Sequence, residues 1–168
     1  MLRTSLIVST YNRPCALALC LESVRRQKQL PDEVIVGDDG SRDDTRILIE
    51  SFQKDFPVPL LHIWQEDKGF RLAQCRNKCI AKAKYEYIIQ IDGDIILNPY
   101  FVADHIACAE EGCYIKGGRV NIMESRTEQL CKDRTYTSLG FFSRGLTRRE
   151  NSIRCLSLAK YLAPRRKT

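Results

Sequence analysis

A chain of 168 residues, 43% hydrophobic and 29% charged, has enough apolar material for one domain with a full core and too little length for two ordinary ones. No apolar run approaches the ~20 residues that span a bilayer, and the start MLRTSLIVSTYNRP lacks the apolar stretch of a secretory signal. The net charge of +6 is concentrated: residues 144–168 carry eight Lys/Arg against one Glu, while residues 1–143 carry 19 basic and 20 acidic residues. A neutral body with acidic clusters argues against a nucleic-acid partner.

Strand and helix signals alternate over the first 98 residues. Ser5–Thr10 (SLIVST) is a β-branched run that reads as a buried strand. It ends at Tyr11-Asn12-Arg13-Pro14, where Pro14 suits the first turn of a helix whose Leu17, Cys20, Leu21 and Val24 share one face. A second run, Glu33–Gly37, ends in the turn-forming Asp38-Asp39-Gly40-Ser41. Asp43, Asp44 or Thr45 can cap the next helix, which directs Leu48, Ile49, Phe52 and Phe56 inward and stops at Pro57 and Pro59. Leu60–Trp64 is a third strand. Leu72, Cys75, Cys79, Ile80 and Ala83 form a third helical stripe, and Tyr87–Ile91 a fourth strand ending at Asp92-Gly93-Asp94. Asn98-Pro99 opens a helix to about Glu110. Beyond Gly118 the pattern blurs: Arg119–Met123 can be a strand, residues 124–152 show no period, and residues 153–163 can form a short amphipathic helix before the basic end PRRKT.

Apolar strands alternating with helices predict an α/β fold, a mostly parallel sheet with helices on both faces. Ligands of such sheets sit at the carboxyl ends of the strands, where TYNR, DDGS and DGD all fall. The eight cysteines form no C-x-x-C pair and read as core thiols in a reducing compartment rather than zinc ligands.

Each polar signature has a chemical reading and a plain one. Asp92 and Asp94, flanking a glycine after a buried strand, can hold a hard divalent cation, Mn²⁺ or Mg²⁺, completed by water and substrate phosphates; the plain reading is an acidic turn. Gly93 is expected to open the backbone to a diphosphate. Asp38-Asp39 can accept from a nucleobase imide N–H, or can serve only the turn and the helix after it. Arg71 and Arg76 stand at the start of a helix, where cations oppose the macrodipole unless they answer an anion.

Taken together, STYNRP (9–14), VGDDGSRDDT (36–45), GFRLAQCRN (69–77) and IDGD (91–94) resemble the nucleotide-binding half of the family 2 glycosyltransferases. The string GFRLAQCRN resembles the subgroup that includes chondroitin-polymerase-like and bacterial polysaccharide or lipopolysaccharide transferases. The resemblance covers about residues 3–123 and implies a GT-A fold of Rossmann-like type. It also implies a nucleotide-diphospho-sugar donor, with uridine favoured, a divalent metal, and inverting transfer to a glycan or lipid-linked acceptor. By the same resemblance, Thr10, Tyr11 and Arg13 line the nucleoside pocket, Asp39 binds the base and Asp38 supports that turn. Arg71 helps hold the nucleotide. Asp92 and Asp94 hold the ribose and the metal-bridged diphosphate, with Asp94 the direct metal ligand. A cytoplasmic location is implied.

The departure from the family lies at the other end. No Trp-Gly followed by an acidic string occurs before Thr168, so residues 1–123 read as the nucleotide-sugar-binding domain. Residues 124–168 read as an irregular basic segment opening an acceptor half that is truncated away. On that reading the carboxylate base that must activate an acceptor hydroxyl is missing. Glu150, in Arg148-Arg149-Glu150, is a poor substitute, and transfer by this chain is expected to be weak or absent. A nucleotide-sugar-binding module without transfer is the alternative. A nucleotidyltransferase would need a glycine-rich phosphate loop after the first strand, which STYNRP is not. The basic tail, with Arg148, Arg149, Arg154, Lys160, Arg165, Arg166 and Lys167, is expected to favour peripheral contact with an anionic inner membrane face.

Overall fold

Four parallel strands carry the fold: β1 (Thr4–Thr10), β2 (Glu33–Asp38), β3 (Leu60–Trp64) and β4 (Tyr87–Asp92), side by side in the order β3-β2-β1-β4. The computed structural model describes residues 2–133 and 136–156 of the chain. Helices α1 (Pro14–Arg25), α2 (Asp43–Gln53), α3 (Leu72–Lys82) and α4 (Phe101–Cys108) connect or follow the strands. The chain steps outward from β1 to β3, then returns past β2 to place β4 on the other side of β1. Right-handed crossovers put a returning helix on the opposite face of the sheet, and α3 is that helix. The reversal makes the carboxyl end of β1 a topological switch point, where such sheets open a crevice.

Side-chain alternation sorts the core into two layers. Leu6, Val8, Val34, Val36, Ile89 and Ile91 pack with Leu17, Cys20, Leu21 and Val24 of α1, Ile49 of α2 and Val102 of α4. Ile7 and Ile35 pack against Cys79 of α3 on the other face. Within the stripe expected on α3 only Cys75 and Cys79 are buried, and Ile80 is exposed. That helix lies close to β2: a Cβ on Gly37 would stand 2.6 Å from Cys79 Sγ and 3.0 Å from Cys75 Sγ. Cys20, Cys75 and Cys79 are core thiols, and Cys155 is exposed. Burial pushes the Cys20 thiol up to about 12.

The helix expected from Asn98 begins at Phe101 instead, because Asn98 Oδ1 accepts the Tyr100 N–H (3.0 Å) and its carbonyl accepts the Phe101 N–H (2.9 Å). Two polar side chains of the α1 region fix this connection from below: Ser23 Oγ accepts the Leu97 N–H (3.0 Å) and Gln27 Oε1 the Val102 N–H (3.1 Å).

Beyond Gly118 the chain is more ordered than its sequence suggests. The strand expected over 119–123 is the two-residue β5 (Asn121–Ile122), paired antiparallel with β6 (Leu146–Thr147) outside the main sheet. This ladder crosses the boundary expected at residue 123. A helix, α5 (Glu124–Asp133), forms in the stretch read as irregular, with Leu130 its one buried residue. A single apolar anchor leaves no period to read. Most of the helix expected over 153–163, together with Lys160, Arg165, Arg166 and Lys167, lies outside the described residues.

Candidate functional site

The carboxyl edge of the sheet is assembled by contacts between its turns. After β1, Asn12 adopts a left-handed conformation (φ 50°), one that Asn tolerates better than most residues. Its N–H donates to Ser41 Oγ (2.8 Å) and its Oδ1 accepts the Arg42 N–H (3.0 Å), binding the first turn to the second. Gly40 (φ 101°) lies under Asp67: a Cβ there would meet the Asp67 backbone at 2.6 Å. Asp67 in turn accepts from the Tyr11 hydroxyl (2.9 Å) and the Gly69 N–H (3.2 Å). This carboxylate holds the Tyr11 hydroxyl above its ordinary range.

Two adjacent aspartates of the second turn have different surroundings. Asp38 is fully buried; its Oδ1 accepts the Ser41 N–H (2.8 Å) and its Oδ2 is hydrogen-bonded to His62 Nε2 (3.1 Å). Burial pushes its carboxyl up, but the hydrogen bonds from His62 and Ser41 outweigh that and hold it below the usual carboxylate range. Asp39 reaches the cleft edge, where Oδ2 accepts the Arg71 N–H (2.9 Å) and Oδ1 accepts from the Gln65 amide.

At the third turn the glycine has a packing reason besides the one expected. A Cβ on Gly93 would point back into the fold, 2.9 Å from the Ser9 carbonyl oxygen and 3.3 Å from Leu17 Cδ1, and the Gly93 N–H donates to that same carbonyl (2.7 Å). The glycine lets β4 close on β1, and it also lines the cleft. On either side of it, Asp92 Oδ1 receives Arg76 Nη2 (2.6 Å) and Asp94 Oδ2 receives Arg13 Nη1 (3.2 Å). Arg76 also donates to Ser9 Oγ (3.1 Å). The anion that this helix-start cation answers is therefore Asp92.

These segments enclose a cleft of about 390 Å³ that brings together Thr10, Tyr11, Arg13, Asp39, Asp92 and Asp94, with Phe70 and Leu72 completing its wall. Two expected site residues are not in it. Asp38 is sealed behind the turn. The Arg71 guanidinium turns away to the Glu66 carbonyl and Gln74 Oε1, so Arg71 serves the site through its main-chain N–H. Arg76, read with Arg71 as a cation that answers an anion, lies outside the cleft wall, and Gln65 and Asp67 carry no motif of their own in the sequence.

The donor set of the third turn suits a hard cation. Arg76 and Arg13 each engage one oxygen of Asp92 and Asp94, leaving the other oxygen of each carboxylate. Mg²⁺ and Mn²⁺ need only one or two carboxylates when phosphates and water complete the shell. No cluster of three or more His, Cys, Asp or Glu able to ligate a metal occurs among the described residues. A second, larger groove of about 970 Å³ meets the cleft at Arg13 and Asp94 and runs between α4 and the segment around β5 and β6. No helix among the described residues is long and apolar enough to cross a membrane.

Residues 5–160 match the model of a family described as glycosyl transferase family 2. The hyaluronan synthase of Pasteurella multocida is 36% identical over 104 residues, covering 61% of this chain and 10% of that protein. The chondroitin synthase of Escherichia coli is 34% identical over 103 residues, covering 61% and 15%. Among solved structures, S. aureus TarS 1–349 in complex with UDP-GlcNAc superposes with a TM-score of 0.53 at 27% identity, covering 63% of this chain and 30% of that one. The mannosyltransferase PcManGT from Pyrobaculum calidifontis, in complex with GDP-Man and Mn²⁺, shares the fold with a TM-score of 0.58 at 24% identity, covering 66% and 33%. The chain thus spans a third or less of the length of these proteins.

Proposed function

The chain belongs to glycosyl transferase family 2, and from that premise we propose that it is the donor-binding part of a metal-dependent, inverting glycosyltransferase that uses a UDP-sugar. The observation that carries this is the convergence of three strand-end turns and the Gly69–Leu72 segment on one cleft with carboxylates at two of its walls. Tyr11, Thr10 and Asp39 take the nucleoside, with Asp39 accepting from the base. Arg13 and Asp92 flank the ribose and diphosphate. Asp38 and Arg71 hold the Asp39 turn and its neighbouring loop in place. A divalent cation, Mn²⁺ or Mg²⁺, held by Asp94 and by the Asp92 oxygen that Arg76 leaves, would neutralise charge on the diphosphate leaving group. The UDP-GlcNAc complex of TarS supports a uridine donor. The two synthases support a glycan acceptor, in polysaccharide or lipopolysaccharide assembly, with a lipid-linked glycan as the variant form.

Titration calorimetry with UDP, in Mn²⁺ and in chelator, tests the binding half of this reading; tighter binding with metal is expected, and equal affinity removes the metal role. Release of UDP from UDP-sugars, with and without oligosaccharide acceptors, tests transfer. Metal-dependent binding without acceptor-stimulated release would leave a nucleotide-sugar-binding module.

A further inference from the structure

The most exposed large apolar side chain among the described residues is Phe142, 92% accessible, in a segment the cleft does not use. It sits at the tip of a tight turn in which the Ser143 N–H donates to the Gly140 carbonyl (2.9 Å) and the Gly140 N–H donates to Ser143 Oγ (3.0 Å). Phe141, the other tip residue, is also exposed, and the two rings meet edge to face at 5.3 Å. The base of the turn is fixed. Leu146 is buried, β6 pairs with β5, and the Met123 N–H donates to the Gly145 carbonyl (2.8 Å). The phenylalanines are therefore held outward, at a standing hydrophobic cost.

Charge identifies what would cover them. From Arg134 to Arg149 the sequence has no carboxylate. Arg144, Arg148 and Arg149 are exposed, and none forms an ion pair among the described residues. Two aromatic rings at a tip, flanked by exposed guanidinium groups that meet no carboxylate among the described residues, match a lipid interface: rings enter the acyl boundary while cations meet anionic headgroups. The same turn of a second copy, met across a two-fold axis, would bring like charges together. So would residues 157–168, which carry Lys160, Arg165, Arg166 and Lys167 and no acid.

We infer that the Gly140–Arg149 segment docks on an anionic lipid bilayer, inserting Phe141 and Phe142 and seating its arginines on the headgroups. Leu139 and Leu146, on either side of the turn, line the larger groove, which reaches Arg13 and Asp94 of the cleft. Docking would set that groove beside the membrane. If the transferase reading holds, the acceptor presented there is lipid-borne; the docking itself does not depend on that reading.

Co-sedimentation of the full chain with phosphatidylcholine vesicles, with and without phosphatidylglycerol and at low and high salt, tests the inference. The wild type should bind the anionic vesicles and release them in salt. Phe141→Ser with Phe142→Ser should lower partitioning about tenfold or more. Arg144→Gln and Arg148→Gln should each lower it about fivefold. All variants keep residues 157–168, so undiminished binding by the Phe variant would assign the affinity to the tail and overturn the inference. Equal binding to neutral vesicles would overturn it too, as would a wild-type dimer that the Phe variant dissolves. UDP affinity measured on the same samples should not change between variants; failure of the wild type to bind UDP would sink the transferase reading and leave the vesicle result standing.

Discussion

The turns after β2 and β4 have nearly the same composition and the same place at the edge of the sheet, yet they use their aspartates differently. In Asp38-Asp39-Gly40-Ser41 all four carboxylate oxygens meet protein partners, although Asp39 also lines the cleft: Asp38 takes the Ser41 N–H and His62, and Asp39 takes the Arg71 N–H and Gln65. In Asp92-Gly93-Asp94 each carboxylate meets an arginine with one oxygen and stands at the cleft wall with the other. The first turn builds the cleft and the second offers charge to it. Composition alone does not distinguish them; the partners supplied by neighbouring elements do.

The sharpest way to break this contrast is Asp38→Ala. It would leave the half-buried His62 and an N–H of the turn without their acceptor, and each polar group stranded in this way costs about 1–3 kcal/mol. Urea denaturation should show a loss of that size. A loss under about 1 kcal/mol would mean the turn is held by other contacts.

Asp39→Ala should act on both sides of the comparison. Removing a charged acceptor costs about 1.5–3 kcal/mol, expected here in UDP affinity by calorimetry. A smaller stability loss should accompany it, because the Arg71 N–H loses its partner. If stability falls while UDP binds as before, Asp39 belongs with Asp38 as scaffold.

Asp94→Ala should leave stability within about 0.5 kcal/mol of wild type, since exposed ion pairs such as Arg13–Asp94 contribute little. It should remove the metal-dependent increment in UDP affinity. The readout is the ratio of UDP affinities in Mn²⁺ and in chelator, and an undiminished ratio would move the metal site elsewhere.

Much of this was legible in the sequence. The apolar runs of β1 to β4 and the helical faces between them have strong periods, and the three strand-end signatures meet as expected. What escaped depends on neighbours distant in the chain. Gly93 is required by the Ser9 carbonyl and Leu17, which only the β1–β4 pairing brings near. Arg76 is tied to Asp92 sixteen residues on. Helix α5 rests on one buried leucine, too little for a pattern. The separation of Asp38 from Asp39 could not be read from alternation, since β2 is buried on both sides, with Val34 and Val36 on one and Ile35 on the other.

The smallest expected effect is a change in acid sensitivity. The Asp38 carboxyl is held below its ordinary range in the folded chain by its bonds to His62 and Ser41, against the upward push of burial. A depressed carboxylate contributes stability that is fully present above the unfolded value of about 3.9 and is lost as pH falls through the lower folded value. The stability gap between wild type and Asp38→Asn should therefore hold steady from neutral pH down to about pH 5 and narrow below about pH 4. Thermal denaturation of both proteins across that range measures it. A gap that stays constant into strong acid would show that the Asp38 contacts stabilise the turn by shape and hydrogen bonding irrespective of charge. The contrast between the two turns would then lie in burial alone.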